Sequence, residues 1–288
     1  MDFGTVILPE ARWRDSIATW RRAEELGFTH VWTYDHLAWR GFRDDPWFTS
    51  IPLLTAVAGA TSRVRLGTLV ASPNFRHPLT FAKELIALDD ISQGRVIAGI
   101  GAGGQGWDAT MLGQHPWSGA ERAKRFSEFV ELTELLLREP KVSWQGTYYA
   151  VDEARTFPGC VQKPRLPLAI AAGTKASMRV AARFGEYWVT IGDYGKGEID
   201  VTSAIALVRS QVTQLEDACA SVGRDPMTIR RLVLTGFLID PALESKEAFT
   251  DAVGRYAEAG VTDLVVHWPR STPPYEGDER IFEAIFAR

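Results

Sequence analysis

An aspartate and a histidine, Asp35 and His36, stand together directly after His30–Tyr34, a run of branched and aromatic residues. An imidazole beside a carboxylate can be oriented and tuned for proton transfer near neutral pH. The plainer interpretation is that Asp35 caps a turn and His36 packs as a polar side chain. Because the pair follows a predicted strand, we interpret it as the candidate catalytic group.

A glycine-rich segment, Gly99-Ile100-Gly101-Ala102-Gly103-Gly104, follows a second apolar run. Glycines allow backbone N–H groups to approach a planar ring or a phosphate closely. The spacing matches G-x-G-x-x-G, but no acidic residue at the usual offset opens a second nucleotide-binding half, so this is weak evidence for a dinucleotide site. A ligand-binding loop and a flexible corner of the fold both remain open on spacing alone.

A third segment, Ala171-Ala172-Gly173-Thr174-Lys175, leads into the predicted helix Lys175–Phe184. Backbone N–H groups and the helix dipole at such a start favour an anion, and Thr174 and Lys175 add donors. The alternative is that Thr174 is a simple N-cap. The turn at 192–197 is a weaker candidate for a further anion contact.

Eight strands must position these segments. They are predicted at Phe3–Leu8, His30–Tyr34, Val64–Val70, Val96–Gly101, Leu168–Ala171, Tyr187–Ile191, Leu232–Leu238 and Asp263–His267. Each is continuously apolar rather than alternating, as strands buried on both faces are, which favours a parallel sheet covered by helices.

Amphipathic helical patterns alternate with these strands along the chain. They cover Arg12–Leu26, Ser50–Thr61, Leu79–Ile91, Ala120–Arg138, Lys175–Phe184, Thr202–Val222 and Lys246–Ala259. Glycines at Gly27, Gly185 and Gly260 predict left-handed helix ends. Eight strands alternating with seven helical patterns predict an α/β fold, a (β/α)8 TIM barrel, in one domain over residues 1–288, with its active site at the carboxyl ends of the strands. Around Gln145-Gly146 the pattern predicts a short hairpin inserted before the fifth strand.

Composition excludes several classes of protein. The 288 residues carry 32 Lys and Arg against 36 Asp and Glu, so the basic excess that nucleic acid or anionic lipid attracts is missing. Cys160 and Cys219 show no metal or disulfide spacing, and the first residues have no leader-like or membrane-spanning pattern. We therefore expect a cytoplasmic protein with no bound metal. A hydrolytic barrel is disfavoured, because acidic pairs and a His-rich cluster at the strand ends are both missing.

Several separated segments together resemble one known family. They are Arg22–Phe28 with Val31-Trp32 and Asp35-His36-Leu37, then Leu66–Pro73 with Arg76-His77-Pro78, then Asp89 and Ile91–Arg95 running on to Gly101-Ala102-Gly103, and finally Tyr148-Tyr149, Val161–Arg165 with Pro167, and Ala171-Ala172-Gly173. In this order they resemble the bacterial luciferase-like superfamily of flavin- and deazaflavin-dependent oxidoreductases, over nearly the whole chain.

The resemblance implies a barrel that binds coenzyme F420 or reduced FMN against a bulge in the third strand. A non-proline cis peptide in that bulge maps to Leu69-Val70. By the same likeness Asp35, Ser72, Ala102, Gly103, Gly104 and Trp107 would line the ring, and Ala172, Gly173, Thr174, Lys175 and Ala176 would hold the phosphate end. His36 would face the reacting centre. Where some deazaflavin dehydrogenases carry a glutamate proton donor, this chain has Gly104, which disfavours a sugar-phosphate dehydrogenase and gives His36 the acid role.

These observations favour an oxidoreductase that uses coenzyme F420 for hydride transfer with a small organic substrate. Trp39, Trp47, Phe75 and Trp268 are candidate walls of the substrate pocket, although aromatic residues are often structural. One alternative is a monooxygenase that uses reduced FMN, and a partner reductase for the flavin or for F420 is expected with either cofactor. The other is a non-catalytic flavin-binding homologue. The resemblance also implies a homodimer formed through the helices beside the second and third strands.

Overall fold

The computed structural model describes residues 1–287 except 194 and 196. Its strands are β1 (Asp2–Val6), β2 (His30–Thr33), β3 (Arg65–Thr68), β4 (Val96–Ile100), β5 (Lys141–Gln145), β6 (Ala150–Arg155), β7 (Leu168–Ala171), β8 (Tyr187–Thr190), β9 (Arg230–Leu234) and β10 (Asp263–His267). Eight parallel strands close a barrel in the order β1-β10-β9-β8-β7-β4-β3-β2, while β5 and β6 pair as a separate antiparallel hairpin. The predicted TIM barrel and its inserted hairpin are both confirmed.

Helices surround this barrel. They are α1 (Trp13–Glu25), α2 (Ser50–Ala60), α3 (Pro78–Ile91), α4 (Gly119–Arg138), α5 (Lys175–Phe184), α6 (Val201–Ser221), α7 (Lys246–Glu258) and α8 (Glu279–Phe286). The sequence analysis did not predict α8, although its buried Phe282, Ile285 and Phe286 have the three- and four-residue spacing of a helix face. Among the described residues, no helix combines the length and apolar character needed to cross a bilayer.

Apolar side chains form two cores, one on each side of the barrel wall. Val6, Trp32, Leu69 and Val265 belong to the cluster inside the barrel. The larger cluster lies between the strands and the helices. Successive strand residues point to opposite faces, so the two faces of each strand contact different neighbours. This alternation decides which residues at the strand ends can reach a ligand.

The strand and helix boundaries differ from the predictions at defined points. β3 ends at Thr68 rather than Val70, and the Leu69–Val70 peptide that follows is cis, as the resemblance implied. β9 ends at Leu234 rather than Leu238, since Gly236 turns the chain with φ of +87°. Of the three predicted glycine helix ends, Gly27 and Gly260 have positive φ, whereas Gly185 is extended.

Candidate active site

The His36 ring lies against Asp108, which belongs to a short 3-10 helix, Trp107–Ala109, in the loop after β4. His36 Nδ1 hydrogen-bonds to Asp108 Oδ2, and the Leu37 N–H donates to Oδ1 at 2.6 Å. Asp108 is 5% exposed, while the imidazole keeps 28% of its surface. Because a carboxylate only accepts, Nδ1 carries the proton and Nε2 is left to take one. Sequence reasoning missed Asp108.

Asp35 serves a different purpose from the one predicted. Its carboxylate accepts from Ser50 Oγ at 2.5 Å and from Arg76 Nε and Nη2 at 2.5 and 2.8 Å. Burial alone would lower the pKa of Arg76, but the bonds and charge of Asp35, with those of Glu84, raise it above its ordinary value. The prediction that Asp35 orients His36 is therefore corrected. Asp35 and Arg76 instead tie the start of the β2 loop to the loop after β3.

After β3, the chain packs closely on β4, and one polar atom buried there has no partner in the described part of the chain. A Cβ at Gly99 would lie 1.9 Å from the Thr68 carbonyl oxygen, and one at Gly101 would lie 2.6 Å from Val70 Cγ2, so both positions require glycine. Ser72 is 3% exposed, and its Oγ has no hydrogen-bond partner among the described residues. A buried hydroxyl costs free energy until it is bonded, so Ser72 is a fitting contact for a polar ligand group.

The glycine loop after β4 is held by a hydrogen bond to the Gly104 carbonyl, while the space that a side chain at Gly104 would occupy is open. Asn74 Nδ2 donates to the Gly104 carbonyl at 3.0 Å. Gly103 has φ of +72°, and the Asn74 side chain fills the space that a Cβ at Gly103 would need. A Cβ at Gly104 would meet nothing closer than 4.0 Å. Ala102 is half-buried, and the exposed Trp107 donates its indole N–H to the Arg40 carbonyl at 3.2 Å. The two loops that carry the candidate site thus contact each other.

The segment at 171–175, which the sequence suggests could bind an anion, leads into α5 as predicted, and Thr174 is the N-cap of that helix. Its hydroxyl accepts from the Ser177 N–H at 3.2 Å, and Ser177 bonds back to the Thr174 N–H at 3.0 Å, so the capping alternative is confirmed. Lys175 and Ala176 are exposed on the first turn, and a Cβ at Gly173 would meet nothing within 4 Å. The segment is open to a ligand. In the weaker candidate turn, Tyr194 and Lys196 lie outside the described residues.

A cavity of about 690 Å³ opens above the barrel, on the side where β1, β2, β9 and β10 end. Its lining residues are Glu10, Trp39, Arg40, Gly41, Phe42, Asp45, Pro46, Glu198, Gly236, Phe237, Arg270, Thr272, Pro273, Pro274 and Tyr275. The Arg40 guanidinium lies 4.0 Å from the centre of the Phe237 ring, and Arg270 is paired with Glu10 at 2.7 and 2.8 Å. This volume suits a small organic molecule.

The four predicted wall residues have different positions. Trp39 lines the cavity, and Trp47 stacks on it with ring centres 6.1 Å apart. Phe75 is half-buried beside Arg76, in the loop after β3. The prediction for Trp268 is corrected: it packs on Phe282 of α8 in the core outside the barrel, with ring centres 5.0 Å apart.

His267, a second histidine that sequence reasoning missed, points into the barrel beside this cavity. Its Nδ1 lies 2.9 Å from the Thr235 carbonyl oxygen, and its Nε2 lies 2.7 Å from the Tyr34 hydroxyl, which is 3.2 Å from the Tyr275 hydroxyl. The Tyr275 ring stacks on the imidazole with centres 3.5 Å apart. Burial, opposed only in part by the bond to Thr235, lowers the pKa of His267 to about 3.

Several known proteins are similar to this chain in sequence or in fold. Residues 1–263 match the family model for luciferase-like monooxygenases. An F420-dependent glucose-6-phosphate dehydrogenase of Beutenbergia cavernae is 33% identical, with 94% of this chain and 84% of that protein covered. An F420-dependent secondary alcohol dehydrogenase, solved with an F420-acetone adduct, has the same fold, with a TM-score of 0.82, 18% identity and coverage of 99% and 97%.

A monooxygenase of Streptomyces bottropensis is 28% identical, with a TM-score of 0.66 and coverage of 90% of this chain and 78% of that one. The family match and the relatives thus show a (β/α)8-barrel oxidoreductase. The chain belongs to the luciferase-like monooxygenase family.

Proposed function

We propose that this protein is an oxidoreductase that uses coenzyme F420 to exchange hydride with a small organic substrate. The observation that carries the proposal is the buried Ser72 hydroxyl between the end of β3 and the glycine loop, which has no hydrogen-bond partner among the described residues and would be satisfied by a polar atom of a bound ring. The choice of F420 is supported by the relative that is 33% identical over 94% of this chain and carries that cofactor in its name.

Two groups of residues would hold the cofactor. The ring would lie against Leu69, Val70, Ser72, Ala102 and Gly103, near Gly104 and Trp107, with Asp35 fixing the loop through Arg76. The phosphate end would lie at the first turn of α5, at Ala172, Gly173, Lys175 and Ala176. Because the Thr174 hydroxyl already caps the helix, the backbone N–H groups and the Lys175 charge would supply the contact there.

When bound, F420 supplies the hydride acceptor or donor. The protein itself contributes a group that transfers a proton and an apolar wall beside the reacting centre. Asp108 holds the proton on Nδ1 of His36, so Nε2 is the atom that takes a proton from a substrate hydroxyl or returns one to a carbonyl. Trp39 and its stacked neighbour Trp47 form an apolar wall that limits water at the reacting centre.

The substrate is proposed to be other than a sugar phosphate. Gly104 occupies the position at which the resemblance places a glutamate proton donor in some deazaflavin dehydrogenases, and the space in front of it is open. In the cavity, Arg270 is engaged by Glu10 and by three carbonyl oxygens of residues 272–274, so it is not available to bind a phosphate.

The test is a side-by-side fluorescence titration of the purified apoprotein with F420 and with FMN, each oxidised and anaerobically reduced. Tight binding of F420 alone is the expected result. Preference for reduced FMN would replace this proposal with a two-component monooxygenase that needs a partner reductase. If neither cofactor binds, the chain shares the fold of the family without its function. Ser72→Ala should weaken F420 binding about fivefold, as loss of one hydrogen bond does.

We also infer a cytoplasmic, single-domain homodimer over residues 1–288. The inference is supported by the outer side of α2 and α3, the helices that follow β2 and β3, where Leu53 and Ala56 are only half-buried and Ile91 is 51% exposed. Both cysteines are free and buried, which fits a reducing compartment. Light scattering should give twice the chain mass, and a monomer mass that does not change with concentration would overturn the dimer.

A further inference from the structure

The side chain of Arg40 presents its guanidinium to the cavity above the barrel. The central carbon of this group lies 4.0 Å from the centre of the Phe237 ring and 5.2 Å from that of the Trp39 ring. At 4.0 Å no N–H group fits between the carbon and the ring, so the guanidinium lies flat on Phe237. Its N–H donors then lie in its own plane and point away from the ring, and no acceptor in the described part of the chain bonds to them.

Backbone contacts fix the position from which this side chain starts. The Arg40 carbonyl accepts from the Trp107 indole N–H at 3.2 Å, and the Phe42 N–H donates to the Trp39 carbonyl at 2.9 Å, which closes a short turn around Arg40. Arg40 has φ of +47°, a left-handed conformation that costs free energy for a residue with a Cβ. Residues held in such conformations cluster at ligand-binding sites.

The other charged groups of the cavity differ from Arg40. Arg270 already donates to Glu10 and to three carbonyl oxygens. Asp45 and Glu198 also line the cavity, yet neither forms an ion pair with Arg40 within the part of the chain that the structure describes. Arg40 is therefore the guanidinium that can bind a ligand. The two carboxylates repel a doubly charged phosphate more strongly than a singly charged group, so they favour a carboxylate as the anion at Arg40.

Arg40 and His36 lie near the same indole ring. The centre of the His36 ring is 6.5 Å from the centre of the Trp39 ring, and the guanidinium carbon of Arg40 is 5.2 Å from it. A small molecule that lies along Trp39 can therefore place its reacting carbon at His36 and its other end at Arg40. The guanidinium thus contacts a part of the substrate that does not react.

We propose that Arg40 determines substrate specificity by binding a carboxylate of the substrate, which makes the substrate a hydroxy acid or a keto acid. A guanidinium held flat on a ring can form two parallel N–H···O bonds to a carboxylate, because the two planar groups match in geometry. The proposal rests on the proposed function, since it names the substrate class of that oxidoreductase. It adds the recognition of a carboxylate remote from the reacting carbon.

The test compares two probes by calorimetry on the protein loaded with oxidised F420: 4-acetylbenzoate and 4-acetylbenzamide. Both carry the same ketone for the reacting end, and oxidised F420 has no hydride to give, so neither is reduced during the titration. We expect wild-type protein to bind the acid about tenfold more tightly than the amide, the difference between a charge-assisted and a neutral hydrogen bond. Arg40→Gln should bring the two affinities within about twofold of each other, because it leaves only neutral donors.

Arg43→Gln is the matched control, since it removes the same charge from the same loop. Arg43 is exposed and lies over the Trp107 ring at 4.1 Å, and it is not one of the residues that line the cavity. It should keep the wild-type preference for the acid. This comparison separates direct binding by Arg40 from the general effect of one positive charge on an anion.

The proposal is overturned if Arg40→Gln keeps the wild-type preference, if both variants lose it equally, or if wild-type protein binds the acid and the amide alike. An F420 titration of the same proteins separates this result from the proposed function. Absence of F420 binding overturns the proposed function, whereas the ratio of acid to amide affinity, measured then on the unloaded protein, still tests Arg40.

Discussion

Replacing Asp108 with asparagine tests whether the carboxylate makes His36 a proton acceptor. Asp108 accepts two bonds, one from His36 Nδ1 and one from the Leu37 N–H at 2.6 Å. An amide keeps one acceptor and gains a donor. If its oxygen stays on Leu37, its NH2 group faces Nδ1, which moves the imidazole proton to Nε2 and blocks the atom that should take a proton.

General acid–base catalysis contributes about a hundredfold to ten-thousandfold, so Asp108→Asn should lower turnover at least about a hundredfold, or about 2.7 kcal/mol of barrier. The assay follows loss of the deazaflavin's visible absorbance with a panel of secondary alcohols, and F420 affinity is measured in parallel. That affinity should stay within about twofold, because the reasoning places Asp108 on His36 and not on the cofactor.

Asp44→Asn is the matched control, since Asp44 is an exposed carboxylate on the loop that carries His36. It should leave both quantities unchanged. Wild-type turnover in Asp108→Asn would refute the assignment of His36 as the base that Asp108 orients. A loss of turnover explained wholly by weaker F420 binding would also refute it, because it would mean that Asp108 shapes the cofactor site instead.

Three further predictions concern stability, each measured by urea denaturation. Trp268→Ala should lower the free energy of unfolding by about 3 to 5 kcal/mol through lost packing on Phe282, and F420 affinity should not change. A change in F420 affinity would mean that Trp268 contributes to the site. Asp35→Asn should cost about 3 kcal/mol, because it leaves the charge of Arg76, whose side chain is 10% exposed, without its buried partner; a loss under about 1 kcal/mol would contradict this. The third prediction concerns His267, whose pKa is about 3 in the folded protein and about 6.5 in the unfolded chain, so the unfolded chain binds more protons between these values. The free energy of unfolding should therefore fall by about 2 kcal/mol between pH 7.5 and pH 5. His267→Gln should remove most of that fall.

The barrel is predictable from the sequence because its strands are short apolar runs separated by amphipathic helices, a local pattern that each segment carries by itself. Local patterns do not predict the residue at which a strand ends. Leu69 and Val70 are as apolar as the strand before them, yet β3 ends at Thr68. Leu238 likewise extends an apolar run that the turn at Gly236 has already ended.

The site was less predictable, because its decisive contacts join loops far apart in the sequence. Adjacency suggested Asp35 as the partner of His36, but neighbouring residues at a strand end diverge, and the carboxylate that reaches the ring comes from position 108, 72 residues away. Trp268 shows a different failure, for which a signal did exist. Alternation along β10 places Val265 inside the barrel, so His267, two residues on, must also point inward and Trp268 outward. Treating the strand as uniformly buried selected the tryptophan for the substrate wall, when period-two counting assigns that end of the strand to His267, whose Nε2 lies 2.7 Å from the Tyr34 hydroxyl.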